Sequence, residues 1–308
     1  MPARTRLELI CLLSVLLLPL SGCSLRKMAV RTMADALSQG ASTFGTDEDP
    51  ELVKEALPFG LKTLESLVVE LPTHRPLLRA VSSGFTQYAV GFLQPELRVL
   101  EIEDFEQARA QRVRIRKLLL RARDYGLRAL EVEYPGLREA LNRDPKLALA
   151  RTVRDDVPDL YWTAAAWGSA ISLGKSEPGL ILEVPTVEAL IKRALTLDEG
   201  WDAGAIHEFL IAFESRGEAS GGSLERARTH FQRAVELARG RRVSPYVSFA
   251  ENVCVQTQNR KEFEELLQKA LDYDPDAHLE TRLANVLSQR RARQLLAMAG
   301  DLFLEEQK

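Results

Sequence analysis

Residues 227–238 read ARTHFQRAVELA, and residues 263–271 read FEELLQKAL. In the first stretch Ala227, Phe231, Ala234, Val235 and Ala238 recur at intervals of three and four. In the second, Phe263, Leu266, Leu267, Ala270 and Leu271 do the same. That spacing gathers the apolar side chains on one face of a helix, and such a face must find a partner to leave water. A third stripe precedes them at Val187, Leu190, Ile191, Ala194 and Leu195. Convincing strand alternation is absent, since the β-branched patches at Val68-Val69 and around Val253 and Val255 are short and lie inside helical patterns. Prolines at 72, 135, 145, 158, 185, 245 and 275 punctuate the pattern as helix starts and ends. Pro58-Phe59-Gly60 is expected to interrupt and kink the first long helix. The reading is an all-α chain of helical hairpins joined by turns.

The three stripes share more than a period. Ala227, Phe231 and Ala234 carry the small–large–small spacing of the second helix of a tetratricopeptide hairpin. Phe263, Leu267 and Ala270 keep it, and Pro275 follows five residues after Ala270. From Ala194 to Ala234 is 40 residues and from Ala234 to Ala270 is 36, against a standard period of about 34. Upstream, Leu64, Leu67 and Pro72 fit loosely, as do Ala122, Gly126 and Ala129 with Pro135 displaced by one. The expected architecture is therefore an α-solenoid of degenerate tetratricopeptide-like hairpins over residues 49–308, a generic helical bundle being the alternative.

The N-terminus carries a different message. Arg4 and Arg6 precede a nearly apolar run from Leu7 to Leu20, too short to span a bilayer, which needs roughly 20 residues. Leu20-Ser21-Gly22-Cys23 then has the form of a bacterial lipobox, whose chemistry needs a thiol at the last position to take a diacylglycerol. Residues 1–22 are read as a lipoprotein signal peptide, Cys23 as the lipidated residue, and residues 23–48 as the lipidated N-terminus and tether. Ser24, not Asp, favours the outer membrane facing the periplasm in a Gram-negative host.

Composition narrows the rest. Removing the first 22 of 308 residues leaves 286, enough for one large domain or two ordinary ones. The chain's formal charge is −3, and losing Arg4, Arg6 and Glu8 brings the mature chain near −4, so no electrostatic argument points to nucleic acid. Once Cys11 leaves and Cys23 is used, Cys254 stands alone among Ala250, Val253 and Val255, which suits buried packing rather than a disulfide. No catalytic pattern survives: His207-Glu208 opens like a zincin motif, but Ile211 occupies the place of the second histidine. The histidines at 74, 207, 230 and 278 do not pair at ligand spacing, and Gly217 to Gly222 reads as a flexible turn between hairpins. No cofactor, no metal and no enzymatic activity are expected, although an active site assembled from distant residues is a third class of function to test.

Two segments invite a binding reading. The basic run Arg112, Arg114, Arg116, Lys117, Arg121 and Arg123 suits a solvated helix face paired with the acids from Glu101 to Glu106; its functional counterpart is an anion-facing or partner-facing wall. Tyr161-Trp162 and Trp167-Gly168 bracket small residues, which suits core packing or a ligand cavity. The candidate cavity wall is Tyr88, Tyr161, Trp162 and Trp167, joined by Trp201, with Lys62, Arg121 and Arg123 offering charge to an anionic end group.

Several segments taken together carry a family resemblance: ALPFGLKTLESL at 56–67, GFTQYA at 84–89, RARDYG at 121–126, Tyr161-Trp162 through Leu173, LAN at 283–285, and Arg291-Ala292-Arg293 with Leu295-Leu296. In this order they resemble the T component of the TPR-associated tripartite (TRAP-T) transporters, from about Asp47 to Phe303, with Gln294 standing where an aromatic is expected. The resemblance implies a periplasm-facing lipoprotein scaffold that assembles with itself, a trimer being one state to test. It also implies docking to the periplasmic solute-binding protein, the P component of such a system, and handling of a hydrophobic or amphipathic organic ligand. It carries no catalytic residues. The competing reading of the same architecture is a TPR lipoprotein scaffold in outer-membrane or cell-envelope assembly.

Overall fold

A computed structural model describes residues 26–304 except 27, 39, 40, 175 and 176; the signal peptide and Cys23 lie outside the described residues. Every regular element among the described residues is a helix. The chain begins with α1 (28–38), α2 (Ala41–Gly45), α3 (Pro50–Glu70) and α4 (Arg75–Gln87), and α4 runs through a wide π-type turn at Tyr88–Leu93 into α5 (Gln94–Glu103). Then come α6 (Phe105–Glu133), α7 (Leu137–Arg143), α8 (Pro145–Leu149), α9 (Val157–Leu173), α10 (Pro178–Ile181) and α11 (Val184–Leu197). The last part holds α12 (Ala205–Glu214), α13 (Leu224–Ala238), α14 (Ser244–Phe249) with a second π-type turn at Ala250–Cys254, α15 (Arg260–Leu271), α16 (Arg282–Ala297) and α17 (Ala299–Leu302).

Starts are set locally. Asp49 accepts from the N–H groups of Glu51 and Leu52 at 3.0 and 3.1 Å, with Pro50 next in the first turn. Asp104 accepts from Gln107 at 2.9 Å, Ser223 from Arg226 at 3.3 Å and Asn259 from Glu262 at 3.2 Å. Each such oxygen satisfies a donor that has no intrahelical acceptor. The expected interruption at Pro58 does not occur: α3 runs 21 residues with Pro58 inside it. An interior proline costs roughly 3 kcal/mol. The stripe of Val53, Leu57, Leu61, Leu64 and Val68 continues past it into the N-terminal core, and that packing outweighs the local defect.

The expected tether at 23–48 also needs correction. Residues 28–38 are helical, Ala34 is fully buried, and Asp35 Oδ1 lies 2.9 Å from His74 Nε2. A run with three alanines and few helix breakers favours helix, and its small residues let it lie close on the domain. The folded part therefore starts near residue 28 and not at residue 49.

Helices α4, α6 and α9 form the thickest part of the molecule. Close approach there depends on Gly126, where an added Cβ would sit 2.3 Å from Thr163 Oγ1 and 3.0 Å from Ser82 Oγ. An ionic seam crosses the same region. Asp159, 1% exposed, accepts from Arg79 Nε and Nη2 at 2.6 and 2.9 Å and from Arg75 Nε at 2.6 Å. Asp156 takes the other end of Arg75, the N–H of Val153 at 2.7 Å and the hydroxyl of Tyr134 at 2.5 Å. Burial favours the neutral acid at Asp156, but these donors outweigh it and hold the carboxyl below its usual range. Burial and the Asp156 hydrogen bond push the Tyr134 phenol up to about 12.

In the C-terminal part consecutive helices pack in pairs along the chain. Helix α9 packs on α11, α12 on α13, and α14 on α15. The inward residues are those of the three stripes: Val187, Leu190, Ile191 and Ala194; Ala227, Ala234 and Ala238; Phe263, Leu267 and Ala270. Phe231 stacks on Phe249 at 4.4 Å between centroids, the large residue filling the gap between successive hairpins. Cys254 is buried, and burial pushes its thiol up to about 12. Gly217 to Gly222 differs from expectation: it connects α12 to α13 within one hairpin and is tied down. Ser223 N–H reaches Glu214 O at 2.8 Å, Arg216 Nε reaches Ser220 O at 2.8 Å, and Arg226 Nη2 reaches Gly221 O at 2.7 Å.

The stack does not end open. Helix α16 returns to the N-terminal part, packing on α2 and α3, with Leu283 and Leu287 against the N-terminal core. Arg282 pairs with Glu48 at 2.7 Å, Arg290 with Glu51 at 2.5 Å, and Glu251 is shared by Arg291 and Arg98. Helix α16, near the C-terminus, thus touches α2 and α3, near the N-terminus, and the chain of helices curls back on itself.

Candidate functional site: an aromatic triad at the centre of the stack

Helix α9 presents Tyr161 and Trp162, and the turn before α12 presents Trp201. The three rings converge: Tyr161–Trp201 at 4.6 Å, Tyr161–Trp162 at 5.0 Å and Trp162–Trp201 at 6.4 Å, the pairs with Trp162 being edge-to-face. Each is only partly buried. The turn that delivers Trp201 is unusual, since Asp202, Ala203 and Gly204 all have positive φ, at 46°, 53° and 93°. Only glycine fits the last position: a Cβ on Gly204 would lie 3.0 Å from Leu237 Cβ and 3.3 Å from the Ala234 backbone. The small residue Ala234, part of the repeat register, thereby admits the turn that carries the aromatic.

Polar groups border the triad. Asp202 pairs with Arg242 at 2.5 Å, and Ser244 Oγ donates to Glu208 at 2.7 Å. Burial raises the Glu208 carboxyl above its usual range against the pull of Ser244 and Arg242. The Tyr161 phenol is raised as well, by burial first and then by Glu208. The Nε of Arg242 is buried without a hydrogen-bond partner. A partly accessible apolar wall next to a neutral-leaning acid and an under-satisfied guanidinium can hold an amphipathic molecule while excluding bulk water.

The other residues singled out from the sequence lie elsewhere. Trp167 is 7% exposed in the central core; its indole N–H donates to Glu183 at 2.6 Å, and Arg123 sits 5.0 Å above its ring. Tyr88 is buried in the N-terminal core, 6.4 Å from Phe92. Lys62 and Arg121 meet at Glu65, at 2.6 and 3.7 Å, beside the hydroxyl of Tyr125. Arg121 also lines a surface groove of about 420 Å³ with Lys117, Asp124, Tyr125 and Arg128. Within the basic run only Arg112 meets the acids from Glu101 to Glu106, through Glu101; Arg116 pairs with Glu177 and Arg123 with Asp124 and Glu183. The candidate residues thus occupy a triad, two core positions and a basic groove, not one continuous wall.

One cluster escaped sequence reasoning. His207 and His230 approach to 2.8 Å through their Nδ1 atoms, while Glu199 accepts from Arg233 at 2.8 Å and lies 3.1 Å from His207 Nε2. The pair is 23 residues apart and faces across α12 and α13, so spacing along one helix does not reveal it. Burial drives both imidazoles down, His230 to about 4. Among the described residues no group of three or more His, Cys, Asp or Glu side chains converges on a metal site.

A family model described as TRAP transporter T-component matches residues 46–303. A protein of Treponema pallidum (strain Nichols), described only as uncharacterized, is 31% identical over 304 residues, covering 92% of this chain and 94% of its own. The chain belongs to the TRAP transporter T-component family.

Proposed function

We propose that this T component is a lipid-anchored, periplasm-facing scaffold that docks the solute-binding protein of its transport system and shelters an amphipathic organic ligand at the Tyr161–Trp162–Trp201 triad. Family membership supports a role alongside other TRAP components. The observation that carries the ligand reading is the triad itself: three rings in mutual contact yet left partly open, bordered by Glu208 and Arg242. Large aromatics left open beside buried polar groups suit binding more than packing. Anchoring rests on the lipobox ending at Cys23, and self-association on the family resemblance.

Three measurements test the proposal. With the chain from Ser24 to Lys308 and 1-anilinonaphthalene-8-sulfonate as an amphipathic probe, Trp162→Ala is expected to keep the helical circular dichroism and lose most of the probe binding. Unchanged probe binding alongside a cooperative loss of stability makes the triad core and ends the ligand reading. Co-elution with the solute-binding protein encoded nearby tests docking, and its failure at micromolar concentrations removes that element. Mass spectrometry of membrane-extracted protein is expected to show a diacylglycerol on Cys23, and an unmodified N-terminus removes the anchor.

A further inference from the structure

The first helix has an outward face that no other described residue covers. Ala34 is fully buried and Ser38 half-buried on the inner side, while Met28, Met33 and Leu37 stand 61%, 50% and 42% exposed. Ala29 and Ala36 are exposed with them. At about 100° per residue Met28, Ala36, Ala29, Met33 and Leu37 fall within one half of the helix circumference, whose middle lies about 150° from Ala34, and the exposed Arg31 flanks its Met28 edge. Along the sequence the charges up to position 34 are of one sign, since residues 24–34 contain Arg26, Lys27 and Arg31 and no acid; in space Arg26 reaches Glu70 at 3.4 Å in an exposed pair. The first acid, Asp35, is already taken by His74 at 2.9 Å.

Its position along the chain points to an occupant. Arg26 lies three residues after Cys23, and three residues of chain span at most about 11 Å. A lipid on Cys23, as proposed above, holds the start of α1 within that distance of the bilayer surface. An apolar arc with basic residues beside it is the signature of a helix lying in the headgroup region of an anionic membrane.

We propose that the outward face of α1, carrying Met28, Met33 and Leu37, lies in the interfacial region of the bilayer that carries the anchor, with Arg26 and Arg31 against anionic phospholipid headgroups. The helix then fixes how the domain stands on the membrane, because its inner face is held to the domain by Ala34 and by Asp35 against His74. This rests on the lipoprotein reading for its location, but the surface chemistry is testable without the lipid.

The test is flotation of the chain from Ser24 to Lys308, which lacks the lipid acceptor, with vesicles of phosphatidylethanolamine and phosphatidylglycerol, and with phosphatidylcholine vesicles as the neutral control. The wild-type chain is expected to float with the anionic vesicles and much less with the neutral ones. Combining Met33→Glu with Leu37→Glu is expected to lower the bound fraction about tenfold with an unchanged melting temperature, since neither side chain is in the core. As a second readout, Met33→Cys labelled with an environment-sensitive fluorophore is expected to shift its emission to the blue on adding anionic vesicles; Cys254, fully buried with its thiol pushed up to about 12, stays unlabelled. A wild-type chain that does not float, or a double variant that floats equally well, overturns the proposal. So does a double variant that becomes smaller by analytical ultracentrifugation while still floating, because the face then belongs to a second copy of the chain. Mass analysis of Cys23 reads the lipoprotein proposal separately, so the two can fail independently.

Discussion

The α4–α6–α9 region and the α12–α15 hairpins solve one problem, holding helices side by side, with different balances of charge and apolar contact. In the first, two buried aspartates and two arginines cross the interface, and a glycine lets the long helices touch. In the second, alanines and stacked phenylalanines fill the interfaces, and the ion pairs across them, Arg226 with the buried Glu214 and Arg228 with Glu262, each join one arginine to one carboxylate. An apolar interface tolerates modest repacking, since its energy is spread over many weak contacts. A buried ionic one fails when a single partner is removed, because the survivor is left charged without compensation.

Breaking the ionic seam is therefore expected to have the largest effect. Asp159→Ala strands Arg79, leaves Arg75 to Asp156, and is expected to cost about 3–5 kcal/mol, read as a lower urea midpoint with little change in slope. A cost below about 1 kcal/mol makes the seam no more than a surface network. On the apolar side, Ala234→Phe overpacks the crossing of α13 with the Gly204 turn and is expected to cost about 1–3 kcal/mol. If it leaves the melting temperature unchanged, the small–large–small register has no packing role.

Acid sharpens the contrast by acting on different groups at different pH. His207 and His230 have lowered folded pKa values, so their neutral forms are favoured in the fold. The stability they contribute is present above the ordinary histidine value near 6.5 and is lost as pH falls toward about 4. Asp156, also lowered, contributes stability above the ordinary aspartate range and loses it only at lower pH. Melting temperature is thus expected to fall first between about pH 6.5 and 4, and His230→Asn is expected to flatten that part of the curve. An unaltered curve in the variant excludes the histidine pair as the source.

The smallest effect is expected at the closure. Arg290→Ala removes an exposed pair with Glu51, worth about 0–1 kcal/mol, while Leu283 and Leu287 keep α16 on the N-terminal core. A larger loss means that charge, not apolar contact, closes the stack.

Helix content, the inward stripes at 187–194, 227–238 and 263–270, and the family itself were legible because each is written in short-range periodicity or in contiguous segments. Trp201 was legible as a candidate, but Glu208 and Arg242 were not, since nothing local marks a residue that a distant turn will carry beside an aromatic. Trp162 and Trp167 show the limit well. They lie five residues apart on α9, so they project in different directions; one enters the core with its N–H bonded to Glu183, the other meets Trp201.

What the amino-acid order determined by itself was the class of structure: hydrophobic spacing of three and four allows helices and little else, and small residues at fixed places allow hairpins. Only the tertiary structure decided that α16 comes back to α3, that Arg75 and Arg79 find Asp156 and Asp159 some 80 residues away, and that His207 meets His230. The physical reason is range. Periodicity acts over a few turns of one helix, whereas pairing across the stack depends on the accumulated curvature of all the hairpins between, to which no single residue holds the key.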